Sequence, residues 1–151
     1  MLPYPKIELH VHLEGTVRAH TLLERARRND VALPADTVEG LASLYEFTDF
    51  AHFVEVWILT TTALRTKADF RQIVVDYAAQ AAGYGAVYLE AIFSPIERVA
   101  RGVRWHDIFV GYCAGAQQAQ ETYGLVLRLT PGADRGADVA AGGELAGRAA
   151  A

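Results

Sequence analysis

Two histidines placed two residues apart, with a carboxylate two residues further on, are the part of this sequence that could do chemistry. They are His10, His12 and Glu14. Polar and apolar residues alternate strictly from Lys6 to Leu13, which predicts a β-strand with both imidazoles on one face, about 7 Å apart along the chain. Neutral imidazole is the commonest metal ligand, and two from one rigid strand cost little entropy to organise around one zinc ion.

The same spacing also occurs by chance on a strand that faces water, so the rest of the strand has to be considered. Its polar face carries two carboxylates besides the two histidines, more ionisable groups than a buried face holds without a partner, and a cation would be such a partner. Its other face is continuously apolar, which predicts packing on helices. The apolar residues are Ile7, Leu9, Val11 and Leu13.

The elements that must position this strand alternate between strands and helices. Further strands are predicted at 86–93 and 125–130, and helices at about 19–29, 50–64, 66–82 and 105–123. Thr66 and Asp69 form a capping-box pattern at the start of one helix, and Gly124 closes another. Strands separated by helices predict parallel pairing and an α/β architecture.

Four segments, in order and at plausible spacing, resemble the adenosine deaminase family of amidohydrolases. Pro5–Thr16 resembles the opening of the family's sequences, and Ser43–Phe47 resembles the segment before its lid-forming helix. Gly85–Glu90, followed by Ser94-Pro95, resembles its second barrel strand. Val126–Pro131 resembles its third barrel strand. The resemblance implies a TIM-type (β/α)8 barrel, of which residues 1–131 would supply about the first three strands and their helices.

The resemblance also implies a mechanism. In the family one zinc, held by three histidines and an aspartate, activates a water that attacks the purine carbon bearing the amino group, while a glutamate protonates the ring nitrogen and ammonia leaves. His10 and His12 match the first two metal ligands. Glu14 matches a position, usually an aspartate, that contacts the substrate beyond the purine, and His12 can approach the same group. The remaining ligands and the catalytic glutamate belong to later strands, so no catalytic residue is predicted in this chain.

The predicted function is therefore zinc-dependent hydrolytic deamination of an adenine-containing purine nucleoside or base. Adenosine is the default substrate, and adenine and 6-aminodeoxyfutalosine are the alternatives. The 151-residue chain is expected to be a truncated, inactive portion of such an enzyme, because two ligands alone hold zinc weakly. The competing interpretation is a non-catalytic remnant, or a half-barrel that binds a partner through its exposed sheet edge.

Composition excludes other classes of function. The net charge is −4 and no stripe of Lys and Arg stands out, which argues against nucleic acid as a partner. No apolar run is long enough to span a bilayer. The single cysteine, Cys113, is predicted to be a small buried hydrophobe, and with no visible secretory signal a reducing, cytoplasmic location is expected. The oligomeric state stays open.

The last twenty residues differ in character from the rest of the chain. Residues 132–151 contain eight Ala and five Gly, with no aromatic residue and no sustained hydrophobic period. They are predicted to be a disordered tail or the product of out-of-frame translation, and not a fourth β/α unit.

Two further interpretations concern single positions. If side chains alternate regularly from His10, then Glu8, Glu90 and Arg128 all face the barrel interior and form a buried charged cluster. Phe47, Phe50 and Phe53 form a stripe that resembles the family's apolar lid over the purine, or else belongs to an ordinary helix core.

Overall fold

Three parallel strands, in the order β1-β2-β3, form the sheet that carries the histidine pair. In the computed structural model, which describes residues 4–133 and 139–149, they are β1 (Lys6–His12), β2 (Ala86–Phe93) and β3 (Val126–Pro131). Both pairings are parallel, and helices connect the strands. The predicted α/β architecture is confirmed, with strand ends within one residue of those expected.

The helices of the described residues include every helix predicted from the sequence and three that were not, two of them short. They are α1 (Ala19–Arg28), α2 (Val38–Ala42), α3 (Phe50–Thr62), α4 (Lys67–Gly83), α5 (Pro95–Ala100), α6 (Trp105–Tyr123) and α7 (Val139–Ala149). The capping box at Thr66 is present, and Gly124 ends α6 in the left-handed conformation with φ of 66°. None of the helices in the described residues is long and apolar enough to cross a membrane.

The unpredicted helices α2 and α5 both have ordinary start signals. The Thr37 side chain accepts a hydrogen bond from the Gly40 N–H at 3.1 Å, so Thr37 caps the first turn of α2. Pro95 occupies the first position of α5, where its missing N–H costs nothing.

Helices α4 and α6 pack on one side of the sheet, and we call this side, with the two helices, the covered layer. The strand residues buried there are Leu89, Ala91, Phe93 and Leu127. Two glycines of α6 let the helices approach closely, because a Cβ on Gly111 would lie 2.6 Å from the Lys67 carbonyl oxygen and one on Gly115 would lie 2.6 Å from Val74 Cβ.

The other side of the sheet has no helix of the described residues packed on it, and we call it the open face. Strand pairing places Ile7 opposite Tyr88, His12 opposite Ile92, and Glu90 opposite Arg128. The open face is defined by Ile7, His10, His12, Tyr88, Glu90, Ile92 and Arg128. It is the inner side that a closed barrel would bury.

A β-bulge in β1 changes which residues face the helices. Glu8 lies opposite Leu89 and Val11 opposite Ala91, so three steps along β1 match two along β2. An extra residue of this kind shifts the alternation of side chains by one. Glu8 and Val11 therefore both face the covered layer.

The predicted apolar face of β1 is consequently wrong for its first half. Ile7 is 65% exposed and Leu9 is 63% exposed, whereas Val11 and Leu13 pack against the hydrophobic core. The alternation of polar and apolar residues in the sequence does not reveal the bulge. The bulge changes only the face of the sheet to which each side chain points.

The bulge also overturns the predicted cluster of Glu8, Glu90 and Arg128. The Glu8 carboxylate accepts a hydrogen bond from the Tyr77 hydroxyl of α4 at 2.5 Å, on the covered side. Burial, followed by this contact with Glu8, raises the pKa of Tyr77. Glu90 and Arg128 do lie opposite each other on the open face, but both are exposed.

Cys113 is exposed, which corrects its predicted burial. Its neighbour Tyr112 is buried among the aromatic residues of the covered layer. Successive residues of an α-helix point about 100° apart, so Cys113 is turned away from that contact.

Part of the Ala/Gly-rich segment is helical. Residues 139–149 form α7, Leu145 is buried, and the Arg148 guanidinium lies 5.4 Å from the centre of the Trp105 ring. For these residues the structure differs from the predicted disorder, since Ala favours helix and Leu145 supplies an apolar anchor. Residues 134–138 and 150–151 lie outside the described residues, and the out-of-frame origin stays a prediction.

Candidate metal and substrate site

His10 and His12 lie together near the carboxyl end of β1. Both side chains are exposed on the open face, with ring centroids 5.2 Å apart and an angle of 58° between the ring planes. The strand therefore places the two predicted ligands side by side, as their spacing predicts. Exposure leaves their ring nitrogens accessible to a metal ion.

The separation of the rings is compatible with one shared zinc ion. With Zn–N bonds of about 2.0–2.1 Å and a tetrahedral angle, two coordinated imidazoles have centroids about 5 Å apart. A structural or catalytic zinc needs at least one more protein ligand. The residues present thus fit two positions of a zinc site.

The other histidines do not join this pair. His20 lies in the first turn of α1 and His106 in the first turn of α6, and both are exposed. The His52 ring lies against Phe47, with its Nδ1 3.3 Å from the Thr48 backbone nitrogen. Over residues 4–133 and 139–149, no group of three or more His, Cys, Asp or Glu side chains could hold a metal ion. Any further zinc ligands would have to come from elsewhere.

Glu14 is fully buried, one turn beyond the histidines in a short 3-10 helix formed by Leu13–Thr16. Its Oε1 accepts hydrogen bonds from the Ser94 backbone N–H at 2.8 Å and from the Tyr112 hydroxyl at 3.1 Å. Burial, followed by the charge of Glu14, raises the pKa of Tyr112 well above its usual value. Tyr112 is therefore a protonated donor at neutral pH.

The second oxygen of Glu14 has no hydrogen-bond partner among the described residues. Arg98 Nη2 lies 4.0 Å from Oε1, and the Arg98 side chain is as deeply buried as the carboxylate. The two charges partly compensate each other in the interior, where both side chains are buried. Glu14 thus connects the loop after β1 with the loop after β2 and with α6.

Sequence reasoning missed Ser94, Arg98 and Tyr112 as neighbours of Glu14. One signal was available for Arg98, since Pro95 predicts a helix start that carries it close to the carboxyl end of β2. Tyr112 gives no comparable signal, because an aromatic residue in an apolar helix pattern predicts only core packing. Its contact with Glu14 depends on the tertiary packing of α6.

The stripe Phe47, Phe50 and Phe53 lies at the start of α3 and the segment before it. The three side chains are 46%, 77% and 40% exposed, and Phe47 and Phe53 contact each other edge to face with ring centroids 5.2 Å apart. The interpretation as ordinary helix core is therefore wrong. The interpretation as a lid stays a prediction.

Comparisons with known proteins identify the family of the chain. The family model for adenosine deaminase matches residues 5–148, past the predicted domain boundary at residue 131. An aminodeoxyfutalosine deaminase of Acidothermus cellulolyticus is 60% identical over 134 residues, which are 89% of this chain and 38% of that protein. The chain therefore spans little more than a third of the length of this relative.

Solved structures show the same fold. An adenine deaminase from Arthrobacter aurescens superposes with a TM-score of 0.88 at 28% identity, covering 95% of this chain and 44% of that one. An amidohydrolase of Burkholderia ambifaria with bound zinc superposes with a TM-score of 0.76 at 25% identity, covering 91% and 38%. The three strands and their helices are thus part of an amidohydrolase barrel, as predicted, and the chain belongs to the adenosine deaminase family.

Proposed function

We propose that this chain forms the first part of a zinc-dependent hydrolase that deaminates an adenine-containing purine. In this reaction a water oxygen bonds to the purine carbon that bears the amino group. The C–N bond then breaks, and the amino group leaves as ammonia with one proton of the water. The other proton stays on the ring nitrogen beside the new carbonyl group. The family membership supports the reaction class.

The observation that carries the proposal is the His10–His12 pair on the open face. Active sites of (β/α)8 barrels lie at the carboxyl ends of the strands, which is where β1 presents both rings. His10 and His12 would hold two positions of the zinc, which when bound lowers the pKa of a water towards neutrality. The remaining ligands and the proton donor would come from other parts of a complete barrel.

The substrate is proposed from the relatives and from two side chains. The 60% identity to an aminodeoxyfutalosine deaminase favours 6-aminodeoxyfutalosine over the default, adenosine, and over adenine. His12 is exposed and can contact a bound nucleoside directly. Glu14 could do so only through Oε2, because Oε1 is already bonded to Ser94 and Tyr112.

A chimera tests the proposal. Residues 5–131 of this chain replace the matching segment of the Acidothermus cellulolyticus relative, whose remaining sequence supplies the rest of the barrel. We expect the chimera to bind zinc and to release ammonia from 6-aminodeoxyfutalosine faster than from adenosine or adenine. The isolated chain is expected to release none.

His12→Ala and His20→Ala are matched variants of the chimera. His12→Ala removes a proposed direct zinc ligand. Loss of a residue that only hydrogen-bonds to a metal ligand can cost about 100-fold in metal affinity or activity, so we expect a larger loss of both here. His20→Ala removes an exposed imidazole away from the open face and should change neither. A folded, zinc-loaded chimera without activity on any of the three substrates would refute the proposal, as would equal effects of the two substitutions.

The second candidate is a half-barrel that binds a partner without catalysis, and two exposed apolar side chains of β1 favour it. Ile7 and Leu9 present apolar surface beside the free edge of β1. If the chimera is inactive while the isolated chain forms a stable complex of defined size, this candidate replaces the first. The cytoplasmic location stays a prediction.

A further inference from the structure

A cavity of about 370 Å³ lies between the end of α3 and the end of α5, apart from the histidine pair. Neither His10 nor His12 lines it. Its walls carry three arginines and two threonines, which is unusual for a packing defect, because defects in a core are lined by apolar groups. A volume of this size falls in the range of small-molecule sites.

Arg98 is a buried arginine in the wall of this cavity. The side chain is 1% exposed, and its Nε, Nη1 and Nη2 make no hydrogen bond in the described residues. Its charge is compensated by Glu97 at 3.2 Å and by Glu14 at 4.0 Å, and its guanidinium carbon lies 5.4 Å from the Trp57 ring centre. Buried hydrogen-bond donors normally have acceptors. The acceptor for the Arg98 guanidinium is missing among the described residues, and a bound ligand would supply it.

Arg65 and Arg101 add positive charge at the same cavity. Arg65 donates to the backbone carbonyls of Asn29 and Thr62, which are neutral and leave its charge in place. Within residues 4–133 and 139–149, the Arg101 side chain donates one long hydrogen bond, 3.4 Å, to the Thr61 hydroxyl. Burial and then repulsion by Arg98 lower the pKa of Arg101, against an opposing effect of Glu97.

The charges around the cavity do not cancel. Three guanidinium groups line it, each with one positive charge. The two carboxylates that lie near Arg98, those of Glu14 and Glu97, balance two of these three charges. A ligand with a single negative group would accept hydrogen bonds from the arginines and relieve the repulsion between Arg98 and Arg101. Planar guanidinium forks are the side chains best suited to carboxylate and phosphate.

We propose that this cavity binds the carboxylate or phosphate group of a small organic anion, with Arg98 and Arg101 as the donors. The volume of about 370 Å³ suits a small molecule and not a charged polymer, which would need an extended groove. The site is separate from the predicted zinc ligands, and its occupation does not depend on deamination.

Binding of two probes to the isolated 151-residue chain tests the inference by isothermal titration calorimetry. The probes are inorganic phosphate and benzoate, each in a buffer without competing anions. We expect saturable binding of at least one, weakened by added salt, and the stronger probe identifies the group that the site accepts.

Arg101→Ala should weaken binding of that probe by about tenfold or more, since a charge-assisted hydrogen bond is lost. Arg104→Ala is the matched control, because Arg104 is a nearby exposed arginine that pairs with Asp107 at 2.8 Å and does not line the cavity. It should leave affinity within about twofold.

Arg101→Gln keeps a polar side chain without the positive charge and should reproduce the loss, which guards against a folding defect in the alanine variant. Circular dichroism melting confirms that both variants are folded. Absence of saturable binding of both probes to the parent chain would overturn the inference. Equal weakening by Arg101→Ala and Arg104→Ala would overturn it too, since that result indicates non-specific attraction. Because no step depends on zinc or turnover, failure here is distinguishable from failure of the proposed function.

Discussion

On the covered layer, β2 presents Leu89, Ala91 and Phe93 to α4 and α6, and all three side chains are buried. On the open face, the alternate residues of the same strand include Glu90, which is exposed, and Tyr88, which is half-buried. Helices thus bury one side of this strand, whereas no helix of the described residues covers the other side.

The comparison separates stability from chemistry. The covered layer contains both the strands and the helices that bury its apolar surface, so its packing is complete within the described residues. The open face carries the histidine pair, but the part of the chain that the structure describes brings no third ligand to it. Stability measured on this chain should therefore report the covered layer, whereas the chemistry needs residues that close the open face.

The largest effect is expected from Glu14→Gln, which removes a charge from the covered layer. Glu14 and Arg98 are both fully buried, and loss of one member of a buried ion pair costs about 3–5 kcal/mol. Glu97 still compensates Arg98, so a loss of about 3 kcal/mol is expected. Urea denaturation of the chain measures it as a lower midpoint.

Glu90→Gln is the control for that substitution, since it makes the same chemical change on the open face. Glu90 is exposed and accepts a hydrogen bond from the Tyr88 hydroxyl at 3.0 Å. Its substitution should change the free energy of unfolding by less than about 0.5 kcal/mol. Equal midpoints for the two variants would remove the distinction between the two sides of the sheet.

A smaller loss is expected from Gly115→Ala, within the α4–α6 contact. The added Cβ would lie 2.6 Å from Val74 Cβ and 2.8 Å from the Arg71 carbonyl oxygen, so the helices must move apart. Overpacking of this kind costs about 1–3 kcal/mol. Thermal unfolding followed by circular dichroism measures the loss.

Gly83→Ala is the matched control for the helix contact. Gly83 is the last residue of α4, and an added Cβ there meets no atom within 4 Å. The alanine should stabilise the chain by up to about 1 kcal/mol through helix propensity. If Gly115→Ala were equally stabilising, close packing of α4 and α6 would not be what requires the glycine.

Signals local to the sequence predicted the elements well. The alternation at 6–13, the capping box at Thr66 and the glycine at 124 each depend on a few neighbouring residues, and the structure has each element within a residue or two of its predicted position. The histidine pair was found for the same reason, since two positions on one strand fix their own separation.

Features that depend on a partner strand or helix were not predicted. The bulge after Glu8 is a property of how β1 pairs with β2, and it redirected Glu8 to Tyr77 although the alternation in the sequence is regular. The exposed position of Cys113 follows from which side of α6 meets α4. In each case the residue type was compatible with both directions, and only tertiary contacts selected one.

The smallest effect in this chain is expected from Arg128→Leu, which tests what closing the open face would change. Arg128 is exposed opposite Glu90, while Glu8, once expected to complete a cluster with them, is bonded to Tyr77 on the other side. In the isolated chain the substitution should change the free energy of unfolding by less than about 0.5 kcal/mol. In the chimera with the relative's remaining barrel, the pair would be enclosed and the same substitution should cost about 3–5 kcal/mol. Urea denaturation of both backgrounds measures the difference.

A large loss in the isolated chain would show that the open face is already a folded interior. Equal small losses in both would show that Arg128 reaches water even in a closed barrel.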